Sequence, residues 1–208
     1  TTATTSSSAN TITANGTPKI EKFSPFPGAE YGVGSNYGSV FFDGSNDYLS
    51  FNPSTNLNLA GDFSVEYWAY PHSLSSTASA SASSFGGGYH SASWFVGYGS
   101  SNNIFFYTHL NASLINATGL SLPLYTWHHV VVCRTGTTNA IFFNGTRVGT
   151  ATSSTTWTMA NPCYVGVQKP DSSQGYFNGY ISDLKVVNGS HSYDATQTSL
   201  TLLTSPAG

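Results

Sequence analysis

Few residues of this 208-residue chain can do proton or metal chemistry, and their spacing limits what they can do. The glutamates are Glu21, Glu30 and Glu66, and none has a second Asp or Glu two to five residues on. A retaining glycosidase needs two carboxyl groups about 5 Å apart. Glu66 is therefore the one candidate acid, and it has no partner near it in sequence. The GxSxG elbow, the HExxH zinc site and the glycine motifs that cradle phosphate are absent from the sequence. His128 and His129 are adjacent in a segment that reads as a strand, so their rings point to opposite faces and cannot share one metal. Asp183 is more informative. It lies in FNGYISDLKVV (Phe177–Val187), where alternation puts Ile181, Asp183, Lys185 and Val187 on one face. A lone carboxylate on a largely aliphatic strand face is costly unless it is paired, bound to a cation or hydrogen-bonded to backbone amides.

The elements that must position these groups read as strands and turns. Asn178-Gly179 and Asn188-Gly189 are turn dipeptides that bracket the Asp183 strand. Ser39–Phe51 is a strand, a turn at Gly44–Asp47 and a second strand. Asp62–Tyr70 alternates, with Phe63, Val65 and Tyr67 on one face and Ser64, Glu66, Trp68 and Tyr70 on the other, and Pro71 ends it. Further strands are expected at Tyr89–Tyr98, Ile104–Leu110, Thr146–Thr152 and Cys163–Val167. Thr126–Arg134 and Ala140–Phe143 form a hairpin, and Asn144-Gly145 is the next turn. The stretch LSSTASASASSFGGG (Leu74–Gly88) is low-complexity and reads as a loop. About a dozen regularly spaced strands and no amphipathic helix predict an antiparallel β-sandwich.

Five segments in order carry a family resemblance: SVFFDGSNDYLSF (Ser39–Phe51), GDFSVEYWAYP (Gly61–Pro71), TWHHVVVCRTG (Thr126–Gly136), AIFFNGTRVGT (Ala140–Thr150) and FNGYISDLKVV. Together they resemble the laminin G-like jelly rolls of the concanavalin A-like lectin/glucanase superfamily, over roughly Tyr37 to Tyr193. The resemblance implies an all-β, antiparallel two-sheet jelly-roll sandwich. It does not fix function, because this fold hosts lectins, enzymes, adhesins and virion proteins. Related glycosidases carry an ExDxxE pattern that this chain lacks, so no enzyme activity is expected. A His-His pair after Trp is common in the family, which implies a structural role for His128 and His129. Related jelly rolls hold a structural Ca²⁺ near the sandwich edge. Matched residue by residue, its ligands would be Asp43, Asp47 (or Asn46) and Asp183, all hard oxygen donors. The alternative is that Asp43 caps its own turn and Asp183 bonds backbone amides. Glycan binding would need exposed aromatic platforms. Tyr89, Trp94, Tyr98, Tyr107, Trp157 and Tyr176 are the candidates, although spacing does not separate a platform from a core.

Composition narrows the setting. Only 7% of residues are charged and the net charge is −3, which excludes an electrostatic partner such as nucleic acid or an anionic membrane. No run of 18 apolar residues is present, so no transmembrane helix is expected. A hydroxyl-rich, uncharged surface fits an extracellular, cell-surface or virion-surface protein. Cys133 and Cys163 both fall in expected strands, as a disulfide or as two buried thiols. Asn15, Asn111, Asn116, Asn144 and Asn188 each begin an N-x-Ser/Thr sequon. Asn144 and Asn188 are turn residues, while Asn111 and Asn116 fall in an expected loop and are the best glycosylation acceptors.

Residues 1–36 differ from the rest. Thr, Ser and Ala dominate at first, and PKIEKFSPFPGAEYGVG then carries three of the nine prolines. The chain opens on Thr1-Thr2 without Met, as expected of a processed or excised piece. The expected organisation is an extended tail at 1–36, able to add a strand to a neighbouring subunit, and a sandwich at 37–208. The leading functional reading is a non-enzymatic structural or adhesive subunit of an extracellular filament, virion fibre or surface assembly. In it the tail drives homo-oligomer or fibril formation. The alternative is a glycan-binding module, calcium-dependent or not.

Overall fold

The computed structural model of the chain describes residues 11–26, 38–52, 57–74, 82–87, 93–99, 101–108, 112–159, 162–168 and 175–204. In chain order the strands are β1 (Thr13–Asn15), β2 (Lys19–Glu21), β3 (Ser39–Asp43), β4 (Tyr48–Phe51) and β5 (Phe63–Ser73). They continue with β6 (Ala82–Gly86), β7 (Trp94–Gly99), β8 (Asn103–Thr108), β9 (Ala112–Ala117) and β10 (His128–Thr135). The last are β11 (Thr138–Phe143), β12 (Thr146–Thr152), β13 (Cys163–Val165) and β14 (Asn178–Asn188). They form two antiparallel sheets of seven strands. Sheet I runs β1-β4-β13-β6-β7-β8-β9 and sheet II runs β12-β11-β10-β5-β14-β3-β2. The expected all-β jelly-roll sandwich is the observed fold.

The period-2 pattern decides what the sheets enclose. Phe63, Val65, Tyr67 and Ala69 of β5 face Trp94, Val96 and Tyr98 of β7 and Ile104 and Phe106 of β8 across the core. His128, Val130 and Val132 point inward from β10, and His129, Val131 and Cys133 point outward. The two histidines therefore face opposite sides, as the alternation requires. Arg134 is wholly buried at one end of the core. Its guanidinium donates to the carbonyls of Gly61, Thr155 (2.6 Å) and Leu59 (3.4 Å) and lies 5.2 Å from the ring centroids of both Phe63 and Trp157. Three carbonyl acceptors and two ring faces compensate the desolvated charge.

The structure corrects several expectations. Residues 82–86 of the expected loop form β6, because Phe85, 2% exposed, is a core residue within the Ser/Ala run. Asn178-Gly179 is not a turn. Gly179 lies inside β14 at φ 136°, where an added Cβ would strike the carbonyl of Tyr70. The alternation of β14 breaks at Asp183. Ser182 pairs with Trp68 and Lys185 with Glu66, so Asp183 and Leu184 together oppose the single residue Tyr67. Asp183 sits at φ 52° in this bulge. The bulge turns Leu184 and Val186 onto the core side with Ile181, and Lys185 outward.

Part of the segment before residue 37 lies in the sandwich itself. Thr13–Asn15 pairs with β4 and Lys19–Glu21 with β3, so this segment supplies an edge strand to each of the chain's own sheets. The crossing between them is pinned where Thr17 N–H donates to Asp47 Oδ1 at 2.6 Å. Gly16, at φ 73°, leaves room there for the Asp47 carboxylate.

Candidate functional site

The outer face of sheet II carries the site. Glu66, Trp68, Tyr70 and His72 project from it at every second residue of β5. Tyr180 joins them from β14, Phe41 from β3 and Trp127 from the residue before β10. After β2 the chain crosses this face and sets Phe23 among the rings. Phe23 lies 4.8 Å from Tyr70, 5.1 Å from Trp127 and 4.9 Å from Tyr180, centroid to centroid. Ser39 Oγ donates to the Phe23 carbonyl at 2.7 Å and fixes the crossing. Phe26, 5% exposed, packs edge-on against Trp68 at 5.4 Å.

His72 and Tyr125 complete the open end of the face. His72 lies 5.1 Å from Tyr125, 5.4 Å from Tyr180 and 5.8 Å from Phe41. Burial pulls the His72 imidazole below its ordinary range, so it is neutral at pH 7. Tyr125 is 62% exposed and held at φ 56°, a left-handed conformation that costs a bulky residue about 1–3 kcal/mol. Its N–H donates to the Pro71 carbonyl at 2.8 Å. Phe23, at 40% exposure, is the other accessible ring. These seven residues present apolar ring surface, three phenol hydroxyls and an imidazole, and none is charged at pH 7. Chemically the face can stack on apolar faces of a ligand and hydrogen-bond its hydroxyls.

Further along the same face the character changes. Glu66 is 4% exposed, accepts the Tyr193 hydroxyl on Oε2, and has His129 Nε2 3.7 Å from the same oxygen. His129 stacks on Trp68 at 4.8 Å, and Lys185 faces Glu66 across the strand pair. Burial pushes the Glu66 carboxyl up, but the His129 and Tyr193 contacts and the charges of His129 and Lys185 hold it below its ordinary value. The same contact and burial raise the Tyr193 phenol. The segment after β14 covers this half. Ala195 is buried against Val131, Cys133, Ala140 and Phe142, and Arg147 donates to the carbonyls of Ala195 (3.2 Å) and Thr196 (2.9 Å). Glu66 is thus an ionised, covered structural group in contact with an imidazole and a phenol, with the charge of Lys185 acting from the neighbouring strand.

The residues expected to bind calcium do not come together. Asp43 Oδ1 accepts backbone N–H bonds from Ser45 (2.8 Å), Asn46 (3.2 Å) and Asp47 (3.4 Å), which makes it the cap of its own turn. Burial acts to raise the Asp43 carboxyl, and these donors outweigh it and hold it low. Asp47, 1% exposed, accepts from Thr17 N–H and Asp43 N–H. Asp183 lies on β14, beyond the opposite end of β3. Asn178 is the partner of Asp43, and Asp183 is five residues further along β14, roughly 15 Å at ~3.3 Å per residue. Among the described residues no three His, Cys, Asp or Glu side chains could hold one metal ion.

Cys133 and Cys163 are free thiols. Their strands belong to opposite sheets, Cys133 facing the outer cluster of sheet II and Cys163 the core, so the expected disulfide is absent. Burial pushes both thiols up to about 12. Asn116 is exposed, but it lies in strand β9 rather than a loop, where its Oδ1 accepts from Asn103 Nδ2 at 2.6 Å. Asn111 and Tyr89 lie outside the described residues. Of the expected platform residues, Trp94, Tyr98 and Trp157 are core, at 0%, 0% and 2% exposure. Tyr107 is half-buried beside Phe95 and Tyr176 beside Tyr48. The rings that do share a surface are not legible together in the sequence, because Phe23, Phe41, Tyr70, the pair Tyr125 and Trp127, and Tyr180 come from five separate parts of the chain. One signal was legible: Trp68, Tyr70 and His72 at successive second positions make the polar side of β5 aromatic.

These features define a two-sheet antiparallel sandwich with an open aromatic surface and, among the described residues, no second carboxylate beside the buried Glu66. Residues 43–195 match a laminin G family model of the Concanavalin A-like lectin/glucanases superfamily, and the chain belongs to that superfamily. No curated protein matches it. Among solved structures it is similar to domain 4 of AbnA, a GH43 extracellular arabinanase from Geobacillus stearothermophilus, in complex with arabinotriose. That likeness has a TM-score of 0.59 at 19% identity and covers 86% of this chain and 82% of that one. It is also similar to domains LG4-5 of the mouse laminin alpha1 chain (TM-score 0.54, 16% identity), covering 71% of this chain and 40% of that one. A third is the heptameric SAP-like pentraxin from Limulus polyphemus (TM-score 0.52, 16% identity), covering 71% of this chain and 74% of that one. At these identities the likeness is one of fold.

Proposed function

We propose that this chain is a non-catalytic, adhesive recognition module that holds a neutral glycan on the aromatic face of sheet II. The observation that carries the reading is the uncharged ring cluster, with Tyr125 held exposed in a strained conformation beside His72. Sugars offer apolar C–H faces for stacking and hydroxyls for the phenols and imidazole, and such a face asks for no charge. The arabinotriose complex of the arabinanase domain supports a saccharide ligand on this architecture, and the extracellular arabinanase supports an extracellular setting. No helix of the described residues is long and apolar enough to cross a membrane. Glu66, the one candidate acid, is covered and paired with Tyr193 and His129, which supports a role without catalysis.

The test is affinity electrophoresis and calorimetry against neutral polysaccharides, α-1,5-arabinan, xylan, mannan and β-glucan among them, each with calcium and with a chelator. Retardation by at least one neutral polymer is expected, clearly weaker in Tyr125→Ala and Trp127→Ala. Equal binding in both buffers is expected, because Asp43 and Asp47 already accept backbone N–H bonds. No retardation by any of the polymers, or retardation unchanged in both variants, would remove the reading.

A further inference from the structure

Both sheets end on the same side of the sandwich in a short strand of the N-terminal segment, β1 for sheet I and β2 for sheet II. All three residues of β2, Lys19, Ile20 and Glu21, are exposed, and Ile20 is 89% exposed. The strand is nevertheless firmly placed, by its pairing with β3, by Thr17 on Asp47 and by Phe26 packed on the outer face against Trp68. Between the two edge strands the sandwich is open. A cleft of about 710 Å³ enters there, lined by Ile12, Ile20, Val40, Leu49, Phe51 and Leu184 among others. Ile12 is itself 62% exposed. An open apolar cleft rimmed by exposed isoleucines, along two edges that pair with no further strand among the described residues, is the kind of surface that a partner covers.

The sequence of β2 selects the partner. Read antiparallel against itself about Ile20, the triplet Lys-Ile-Glu sets each Lys19 opposite a Glu21 of the other copy and Ile20 opposite Ile20. Directly opposed side chains in an antiparallel pair point to the same side, and opposite charges there attract. Among the described residues neither Lys19 nor Glu21 has an ion-pair partner in its own chain. In a chain only 7% charged, two opposite charges flanking an exposed Ile on an edge strand are a specific pattern. A charged edge can also serve simply to repel pairing, and the charge exchange below separates the two.

We propose that β2 pairs antiparallel with the β2 of a second copy of this chain, about a two-fold axis at Ile20, extending sheet II and closing the apolar cleft. Such an isologous contact is self-limiting and gives a dimer. The axis stands perpendicular to the sheet, so both aromatic faces lie on the same side of a continuous sheet. Five interstrand steps separate β14 from its symmetry mate, roughly 24 Å at ~4.8 Å per step. Two binding faces at that spacing would hold one glycan polymer bivalently.

The test is sedimentation equilibrium of the full chain over a wide concentration range. A reversible doubling of mass is expected. K19E, which leaves two acidic residues on β2, and E21K, which leaves two basic ones, should each dimerise roughly tenfold more weakly, ~1.4 kcal/mol. The double variant K19E/E21K should recover the wild-type constant, and an equimolar mixture of the two single variants should associate as a heterodimer. Wild-type protein that stays monomeric throughout, or single variants that dimerise as wild type does, would overturn the proposal. A single variant rescued by neither the exchange nor the mixture would do the same. The glycan reading is read out separately: the affinity of one chain for a short oligosaccharide should be unchanged in K19E, whatever its mass.

Discussion

The two halves of the outer face of sheet II are built on the same strands and differ in what lies over them. Toward Glu66 the face is closed. Tyr193, Ala195 and their neighbours lie over it, and the polar groups beneath answer one another. Toward His72 it is open, and among the described residues the rings of Tyr70, Tyr180 and Trp127 are covered in part by Phe23. A covered carboxylate must be paired, and it then contributes stability. An open aromatic surface in contact with water contributes less to stability and remains available to a ligand. One sheet face therefore carries both a structural network and a recognition surface, and the covering segment decides where one ends and the other begins.

The contrast can be broken most strongly at Glu66. Glu66→Ala strips the Tyr193 hydroxyl and His129 of their shared acceptor under cover and is expected to cost about 2–3 kcal/mol. Urea unfolding measures this, and glycan affinity of the folded variant should stay within about twofold, below ~0.4 kcal/mol. Acid attacks the same half. The Glu66 carboxyl is held below its ordinary value, so its contribution is complete above the ordinary carboxyl range and is lost as pH falls through the folded value.

The second prediction concerns the inner face. Burial lowers the His128 imidazole from 6.5 to about 4, against a smaller opposing contact with the Pro123 carbonyl. The folded state thus binds fewer protons than the unfolded chain between these values, and stability falls as pH drops across that window. The loss is on the order of 3 kcal/mol by pH 4. In His128→Phe, thermal unfolding between pH 6.5 and 4 should show a shallower slope.

The open half answers to smaller changes. Tyr125→Ala should weaken glycan binding about tenfold, ~1.4 kcal/mol, while unfolding free energy moves by no more than about 0.5 kcal/mol, as for an exposed side chain. An equal loss of stability and binding would mean that the open half is structural as well. The smallest effect is expected from reductant. With both thiols free and buried, a reducing agent should leave the melting temperature unchanged, and the denatured chain should react with two equivalents of a thiol reagent.

Much of this architecture was legible in advance because it rests on local periodicity. The alternation of β5 correctly divided Phe63, Val65 and Tyr67 from Glu66 and Trp68, and the adjacency of His128 and His129 fixed their opposite orientations. Asn144-Gly145 forms its turn, with Asn144 at φ 47°. The misreadings share a cause. Counting by twos gives Asp183 a face, and a bulge shifts the count by one residue. β6 was hidden in a Ser/Ala run because a single Phe85 is too weak a period to register. Trp94, Tyr98 and Trp157 read as platforms as readily as core, because an aromatic residue looks the same in sequence on either side of a sheet.

The sequence by itself determined the class of fold, the strand pairs that lie next to each other in the chain, the lack of a second carboxylate beside Glu66, and a surface almost without charge. All of these follow from composition and from contacts between near neighbours. Tertiary structure alone decided that residues 13–21 complete both sheets rather than trail from them. It also decided that the calcium candidates stand apart, that the cysteines lie in opposite sheets, and that rings from five parts of the chain meet on one face. Those outcomes depend on which distant strands pair, and long-range pairing is set by the burial of the whole core rather than by any local run of residues.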